Sequence, residues 1–354
     1  MVLRPASIRT QSLALTSAKA IANKSLRILA PGLWRIKERP WLLILAYHRV
    51  LPTGHPDRTT EQPGMYVSPD TLALHLKVLR RYFTITPLSQ WIAGVVRGEV
   101  PDRACAITFD DGWRDNFDHA FPVLRSEGVP ATIFLVSDYV GSSYQFWPTR
   151  LARLLLDQDG SDRHRRLRAS LGALGDGVSG FEGEGSAFSQ REVDEVIGRC
   201  KSQYTDQEIM AFLDAAERKP AESARLAERD ILTWDEIRVM SDSGLIEFGS
   251  HTRRHIRLES RTTTEVMREE IVGSKRVLEE RLGRPVHMFC YPNGDYCPAA
   301  VELVRNAYSA AVTMNRGTNP RSCNPYLLRR VGVHDAASNT RNSFLAWLAR
   351  ASVL

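Results

Sequence analysis

The chain has 354 residues, of which 43% are hydrophobic, 25% charged and 8% aromatic. This ordinary globular composition excludes a disordered chain, a collagen-like repeat and a membrane protein with several spans. The five cysteines are scattered and none forms a Cys-x-x-Cys pair. We therefore expect a reducing compartment and no disulfide framework.

The net charge of +6 comes from the first 40 residues, which hold eight basic residues and one acidic residue. Because residues 41–354 are close to neutral, we expect no nucleic-acid partner, which would need a basic folded surface. No secretory signal peptide is evident, since Lys19, Lys24 and Arg27 interrupt the apolar runs. We expect a cytoplasmic protein. The basic arm, residues 1–40, is either a solvated leader helix or a peripheral contact with an anionic membrane.

Short apolar segments alternate with helical stretches along most of the remaining chain. The predicted strands are residues 42–47, 82–86, 105–109, 131–136, 245–249, 286–291, 310–313 and 328–333. Repetition of strand and helix implies a parallel sheet, and this number of units favours a distorted (β/α) barrel of seven to eight strands. Helices are predicted at residues 115–127, bent by Pro122, at 262–283 and at 299–308. A capping box of Thr262 and Glu265 should open the second of these helices.

Residues 147–230 interrupt this alternation. They contain a basic helical stretch (149–174), a glycine-rich link and a polar helical stretch (189–229). We interpret the segment as a helical insertion in the barrel. It is either a lid over the active face or a solvent-exposed extension that has no role in the site.

Polar side chains follow four of the predicted strands, where a parallel barrel carries its reacting groups. They are Asp110 with Asp111, His251 with His255, Asn293, and His334. One carboxylate and two imidazoles form a three-ligand set for Zn²⁺ or a similar divalent ion, with a fourth position left for water. The second carboxylate is then free to act as general base. The alternative is that the Asp pair caps the helix near Asp115 and that both histidines lie on the surface.

Two segments resemble the first two motifs of the polysaccharide deacetylases with a NodB homology domain, carbohydrate esterase family 4. They are Thr108-Phe109-Asp110-Asp111-Gly112 and Ser250-His251-Thr252-Arg253-Arg254-His255. The resemblance covers residues 41–145 and 231–335, so the arm and the insertion lie outside it. It implies a NodB-like barrel and metal-dependent removal of N-acetyl, sometimes O-acetyl, groups from sugars.

The resemblance also implies roles for individual residues. Asp110 would be the catalytic base, and Asp111, His251 and His255 would hold the metal, with Zn²⁺ as the expected ion. A backbone N–H near Asn293 would stabilise the oxyanion, and His334 fits the family's general acid loosely. The remaining candidates for substrate contact or support of the site are His48, Trp113, Tyr291, Pro292 and Asn293.

The sequence departs from the family pattern in two places. Cys290 stands where many members carry an arginine that orients the base, so another group must do this or the base is held differently. The family's fourth motif, with Asp and Trp, is not visible.

The leading hypothesis is a hydrolase that removes N-acetyl groups from a glycan, either a bacterial exopolysaccharide or an envelope saccharide, with water activated by the metal and Asp110. The alternatives are a deformylase or amidohydrolase acting on a lipid-linked sugar, and a catalytically idle glycan-binding module.

Overall fold

The computed structural model describes Trp34 and residues 40–156, 188–217 and 229–353. The predicted arm helix and glycine-rich link lie outside these residues, so the membrane contact stays a prediction. Among the described residues, no helix has both the length and the apolar character that crossing a bilayer requires.

Seven parallel strands close into a barrel, which confirms the predicted fold class. In chain order, the described residues form eleven strands, of which seven belong to the barrel. They are β1 (Trp41–Tyr47), β2 (Arg49–Val50), β3 (Tyr66–Val67), β4 (Thr84–Ile85), β5 (Arg103–Phe109), β6 (Ala131–Leu135), β7 (Ile246–Ser250), β8 (Met288–Cys290), β9 (Ala310–Arg316), β10 (Asn319–Pro320) and β11 (Leu328–Gly332). The barrel order is β1-β11-β9-β8-β7-β6-β5, and β1 closes it by pairing with β5 over its whole length. Strand β4 extends the sheet beside β5, and β10 pairs antiparallel with β1.

The strands lack an in-out alternation of polarity because both of their faces are covered. All seven residues of β1 are buried. Leu42 and Ile44 belong to an apolar cluster with Ala104 and Ala106, whereas Leu43 and Leu45 belong to the larger core that the helices cover. An apolar side chain is therefore favoured at every position of the strand.

Helices surround the barrel, and helical residues are found in each of the three ranges predicted outside the insertion, 115–127, 262–283 and 299–308. The helices are α1 (Pro69–Tyr82), α2 (Leu88–Arg97), α3 (Phe121–Glu127), α4 (Trp147–Leu156), α5 (Gln190–Gln203), α6 (Asp206–Glu217), α7 (Trp234–Asp242), α8 (Thr264–Arg268), α9 (Ser274–Leu282), α10 (Pro298–Ala307), α11 (Asp335–Ser338) and α12 (Arg341–Val353). The π-helical turn Asn116–Ala120 leads into α3, which has Pro122 in its first turn, where a missing N–H is tolerated.

The predicted start of the helix over residues 262–283 is wrong by one residue. The N-cap is Thr263, whose hydroxyl accepts from the Val266 N–H at 3.4 Å. Thr262 instead donates to the Arg257 carbonyl at 3.0 Å. This contact within the preceding loop therefore takes Thr262 out of the capping role that its spacing to Glu265 predicts.

Helices α4, α5 and α6 lie within the predicted insertion and pack on one another. Their contact forms an apolar cluster separate from the main core, with members such as Leu151, Val193, Ile197 and Leu213. The polar stretch predicted at residues 189–229 contains two helices, α5 and α6, and the basic stretch is described only as far as Leu156.

A buried histidine makes the stability of the barrel sensitive to pH. The His75 ring is 0% exposed, contacts the Tyr47 hydroxyl at 3.0 Å and the Ser338 carbonyl at 2.7 Å, and stacks on Phe344. Burial lowers the pKa of His75 to about 4. At pH values between the ordinary histidine pKa and this lowered pKa, His75 carries a proton in the unfolded chain but not in the folded chain. The free energy of unfolding therefore falls as pH falls through this range.

We expect this histidine to remove up to about 3 kcal/mol of unfolding free energy on acidification from pH 7 towards pH 4. Urea unfolding of the wild type and of His75→Gln across this range measures it. The variant should be less stable at pH 7 but should lose less on acidification. Equal losses in both proteins would contradict the assignment.

Candidate active site

The two adjacent carboxylates lie where β5 ends at the barrel's carboxyl edge. After Phe109 the chain turns through left-handed conformations at Asp111 (φ 74°) and Gly112 (φ 73°). A Cβ at position 112 would lie 2.9 Å from a methyl carbon of Leu135, so glycine lets the turn approach β6. Asp110 is 2% exposed and Asp111 5% exposed. Two buried neighbouring carboxylates require groups that offset their charge, and the two are surrounded by different groups.

Asp111 faces two imidazoles. Its Oδ1 atom lies 3.4 Å from Nε2 of His251 and 3.4 Å from Nε2 of His255. The three potential ligand atoms lie within 4.8 Å of one another, and the buried Oδ1 has no hydrogen-bond partner. An orphaned carboxylate oxygen that shares a point with two imidazole nitrogens is a donor set that fits a divalent ion such as Zn²⁺.

The loop after β7 aims the two histidines. His251 donates its backbone N–H to the Leu135 carbonyl at 2.8 Å, and its Nδ1 lies 2.9 Å from the Cys290 carbonyl. Because Nδ1 carries the proton in that contact, Nε2 presents its lone pair to the site. The chain then turns back through a left-handed Thr252 (φ 66°), whose hydroxyl accepts from the His255 N–H at 2.9 Å. The spacing of four residues thus brings both rings to one point without a helix.

A second donor group, formed by Asp110, His251 and Cys290, is also compact enough for an ion. Its carboxylate is occupied by Arg330, and its histidine already uses Nδ1 for the Cys290 carbonyl. Burial would raise the pKa of Asp111, but His251 and His255 lower it well below its usual range. The anionic oxygen needed for a ligand is therefore available at Asp111.

Arg330 on β11 holds the candidate base. Its Nη1 and Nη2 donate to the two carboxylate oxygens of Asp110, each at 2.7 Å. The same guanidinium donates from Nε to the Thr313 carbonyl at 2.9 Å and from Nη1 to the Thr108 hydroxyl at 3.1 Å. Burial would raise the pKa of Asp110, but this bidentate ion pair outweighs it and lowers the pKa.

The arginine missing at position 290 is therefore supplied from another strand. Arg330 Nη2 lies 3.1 Å from the Cys290 sulfur, so the small thiol leaves room for the guanidinium. Sequence reasoning missed this residue. The available signal was a pair of adjacent arginines, Arg329 and Arg330, within a predicted strand, because alternate side chains of a strand point to opposite faces and one of the two must point inward. The structure shows that this one is Arg330, which is 1% exposed.

The structure separates the two histidines that were candidates for proton transfer. His48 follows β1, and its Nε2 lies 3.7 Å from Oδ2 of Asp110. His334 lies in the loop after β11, where its ring contacts Trp347 edge-on. His334 lines a neighbouring cavity, and it does not line the cavity that contains Asp110 and Asp111. The assignment of His334 as the acid stays a prediction, and His48 is the histidine next to the base.

The other predicted residues fall into two groups. Trp113 is 1% exposed and donates its indole N–H to Oδ2 of Asp111 at 2.9 Å, so it positions a candidate ligand. Tyr291 and Pro292 are buried behind the site and do not line its cavity. Asn293, left-handed at φ 57°, is exposed at the cavity edge.

A cavity of about 100 Å³ lies over these groups, and the helices of the insertion form part of its wall. Lys201 on α5 donates to the Asn293 side chain at 3.1 Å. Arg257, two residues after His255, holds the start of α6 through Asp206, whose Oδ2 accepts the Arg257 N–H at 3.0 Å. Trp147 donates to the same carboxylate at 2.9 Å. Three helices are thus fastened to the loops that carry the site.

A carboxylate held by an ion pair beside three donors that could hold a metal is the arrangement expected of a metal-assisted hydrolase. Comparison with protein families agrees: the model of the polysaccharide deacetylase family matches residues 97–169 and 196–312, more than half of the chain. The chain belongs to the polysaccharide deacetylase family. This confirms the predicted family, whose polysaccharide N-deacetylases are hydrolases of carbon–nitrogen bonds other than peptide bonds.

Curated relatives match over shorter stretches. YxkH of Bacillus subtilis (strain 168), provisionally named a polysaccharide deacetylase, is 32% identical over 115 residues. A poly-beta-1,6-N-acetyl-D-glucosamine N-deacetylase of Staphylococcus epidermidis is 39% identical over 56 residues. These matches span 31% and 16% of this chain, and 38% and 19% of the respective relatives.

Solved structures share the fold over nearly the whole chain. The Streptococcus pyogenes deacetylase PplD, solved in complex with acetate, has a TM-score of 0.56 and 17% identity, and the match covers 85% of this chain and 96% of PplD. IcaB from Ammonifex degensii has a TM-score of 0.54 and 21% identity, with 87% and 97% covered. At these identities the likeness concerns the fold.

Proposed function

We propose that the protein is a metal-dependent deacetylase that hydrolyses the acetamide of an N-acetylated amino sugar in a glycan. The observation that carries this proposal is the convergence of Asp111, His251 and His255 beside the ion-paired Asp110. These three residues would hold the metal. When bound, it would supply Lewis-acid polarisation for the attack of water on the acetyl carbonyl.

The residues of this chain divide the proton transfers between them. Asp110, kept anionic by Arg330, accepts a proton from the attacking water. Burial lowers the pKa of His48, although Asp110 opposes it, so the imidazole rests neutral at pH 7. At 3.7 Å from Asp110, His48 can take up that proton and pass it to the departing amine nitrogen. The products are acetate and a free amine on the sugar.

The loop after β8 supplies the candidate oxyanion donor. The N–H groups of Gly294 and Asp295 already donate within this loop, to Tyr291 and Pro292, at 2.9 and 3.0 Å. The donor expected here is therefore the backbone N–H of Asn293, a residue that lines the cavity. Lys201 holds the side chain of that residue from the insertion.

The proposed substrate class follows from the chemistry and from the Staphylococcus epidermidis relative, whose name specifies a polymer of N-acetyl-D-glucosamine. An exopolysaccharide or envelope saccharide of this kind is the first choice. A cytoplasmic location and contact of the basic arm with an anionic membrane are further proposals, which rest on the sequence of residues 1–40 alone.

Acetate release from N-acetylglucosamine oligomers, measured together with bound metal, tests the function. We expect about one zinc per chain and turnover that is lost on chelation and restored by Zn²⁺. Asp110→Asn should keep the metal and lose about 10²–10⁴-fold in kcat, because it removes the base alone. His251→Ala should lose both metal and turnover.

Asp118→Asn provides the matched control, since this exposed carboxylate lies on the π-helical turn that follows the motif. It should keep both readouts. Turnover that survives complete metal removal would overturn the proposal. A protein without metal or turnover would favour the glycan-binding module.

A further inference from the structure

A second cavity, of about 320 Å³, adjoins the catalytic one. The two cavities share His48 and Met314 in their walls. The second cavity continues past the base, along Arg330 and Gly332, towards Trp347 on α12. A group attached to the sugar being deacetylated could therefore reach it beside His48.

The wall of this second cavity holds one cation, Arg316, that has no acidic partner in the described part of the chain. Its lining residues include Arg316, Arg330 and two histidines, and they include no aspartate or glutamate. Arg330 is neutralised by Asp110. No carboxylate in the described part of the chain pairs with Arg316, and the nearby Asp335 is committed to Arg58.

Two polar atoms in this wall also lack partners. The buried Nε of Arg316 and the buried Nδ1 of His334 have no hydrogen bond in the described structure. The guanidinium of Arg316 lies 4.4 Å over the Trp347 ring and donates from Nη2 to the carbonyl of that residue at 3.3 Å, which fixes it in place. A guanidinium is always charged, so a fixed one without an acidic partner is suited to a carboxylate or phosphate.

We propose that this second cavity binds an acidic substituent, a carboxylate or a phosphate, carried by the glycan next to the sugar that loses its acetyl group. This inference rests on the proposed function and narrows its substrate class from any acetylated glycan to an anionic one. Arg316 is the specificity-determining residue, since it is the cation of the wall without an acidic partner.

Two disaccharides of equal size test the proposal: N,N′-diacetylchitobiose and a disaccharide of N-acetylglucosamine and glucuronic acid. At fixed ionic strength, the wild type should show a kcat/KM about tenfold or more higher for the acidic one, as expected for a charge-assisted contact. Arg316→Gln should abolish this ratio, and Arg316→Lys should restore part of it. Arg329→Gln, which removes an exposed arginine from the same sheet, should leave the ratio as in the wild type.

A ratio near one in the wild type, or a ratio that Arg316→Gln does not change, would overturn the inference while the proposed function stands. Failure to deacetylate any saccharide would instead count against the function. Thermal unfolding with inorganic phosphate separates the two sources of an anion. We expect stabilisation that depends on Arg316 only at millimolar phosphate, because a free anion lacks the sugar contacts that hold a substituent in the cavity. Stabilisation that depends on Arg316 at micromolar phosphate would assign the cavity to a free anion and overturn the inference.

Discussion

Replacing Arg330 by glutamine is expected to lower both the activity and the stability of the protein. The substitution leaves the Asp110 carboxylate buried without the cation that donates to both of its oxygens. Breaking a buried ion pair in this way costs about 3–5 kcal/mol of unfolding free energy. Turnover at pH 7 should fall about 100-fold or more, because a protonated Asp110 cannot act as base.

The pH profile distinguishes this effect from simple loss of structure. Arg330 lowers the pKa of Asp110 against the effect of burial, so its removal must raise that pKa. The acid limb of kcat/KM should move to higher pH, and activity should recover partly in alkali. Arg330→Lys should move the limb less, since it keeps the charge but loses the bidentate geometry. An unshifted limb with lowered activity would contradict this role.

Arg329→Gln is the matched control, because it removes an exposed arginine from the neighbouring position of the same strand. Its pH profile and stability should match those of the wild type within about 0.5 kcal/mol. Metal content should be unaffected in both variants, since neither residue contacts Asp111, His251 or His255 in the structure.

Replacing His48 by glutamine should lower kcat about 100-fold or more while the metal content stays constant. The expectation follows from the contact of His48 with Asp110 and its place in the wall of the catalytic cavity. General acid catalysis by a positioned side chain contributes about 10²–10⁴-fold. The loss should be in kcat more than in KM, since the proton is needed at the breaking bond.

His334→Gln gives the comparison that decides between the two histidines. We expect a fall of less than about tenfold, because the histidine borders the neighbouring cavity. A saccharide whose acetyl group is attached to a better leaving group than an amine requires no proton at the breaking bond. Such a substrate should restore much of the rate of His48→Gln and should have little effect on the rate of His334→Gln. The reverse pattern would assign the proton donor to His334.

The sequence predicted the barrel because its signals are local. Continuous apolar runs mark strands covered on both faces, and all eight predicted strands are present. Two of them are much shorter than predicted: β4, because α1 continues to Tyr82, and β8, which spans only Met288–Cys290. The same logic predicted the metal donors, since Asp111, His251 and His255 all follow strands that end at one edge of the barrel. Capping was less certain, because Thr262 is recruited by the Arg257 carbonyl.

The pairing of Asp110 with Arg330, in contrast, cannot be predicted from local signals in the sequence. The two residues are 220 positions apart, and the contact exists only because β1 joins β5 to β11 when the barrel closes. The choice between His48 and His334, and the position of Lys201 beside Asn293, likewise depend on how distant segments meet.

By itself, the sequence determined which strands form, which family they belong to and which three side chains could hold an ion, because periodicity and motif spacing are written along the chain. Only the tertiary structure decided which cation pairs with Asp110, which histidine lies beside it and where a second cavity opens. Those outcomes depend on distances through space between buried charges, and no local pattern of residues encodes such distances.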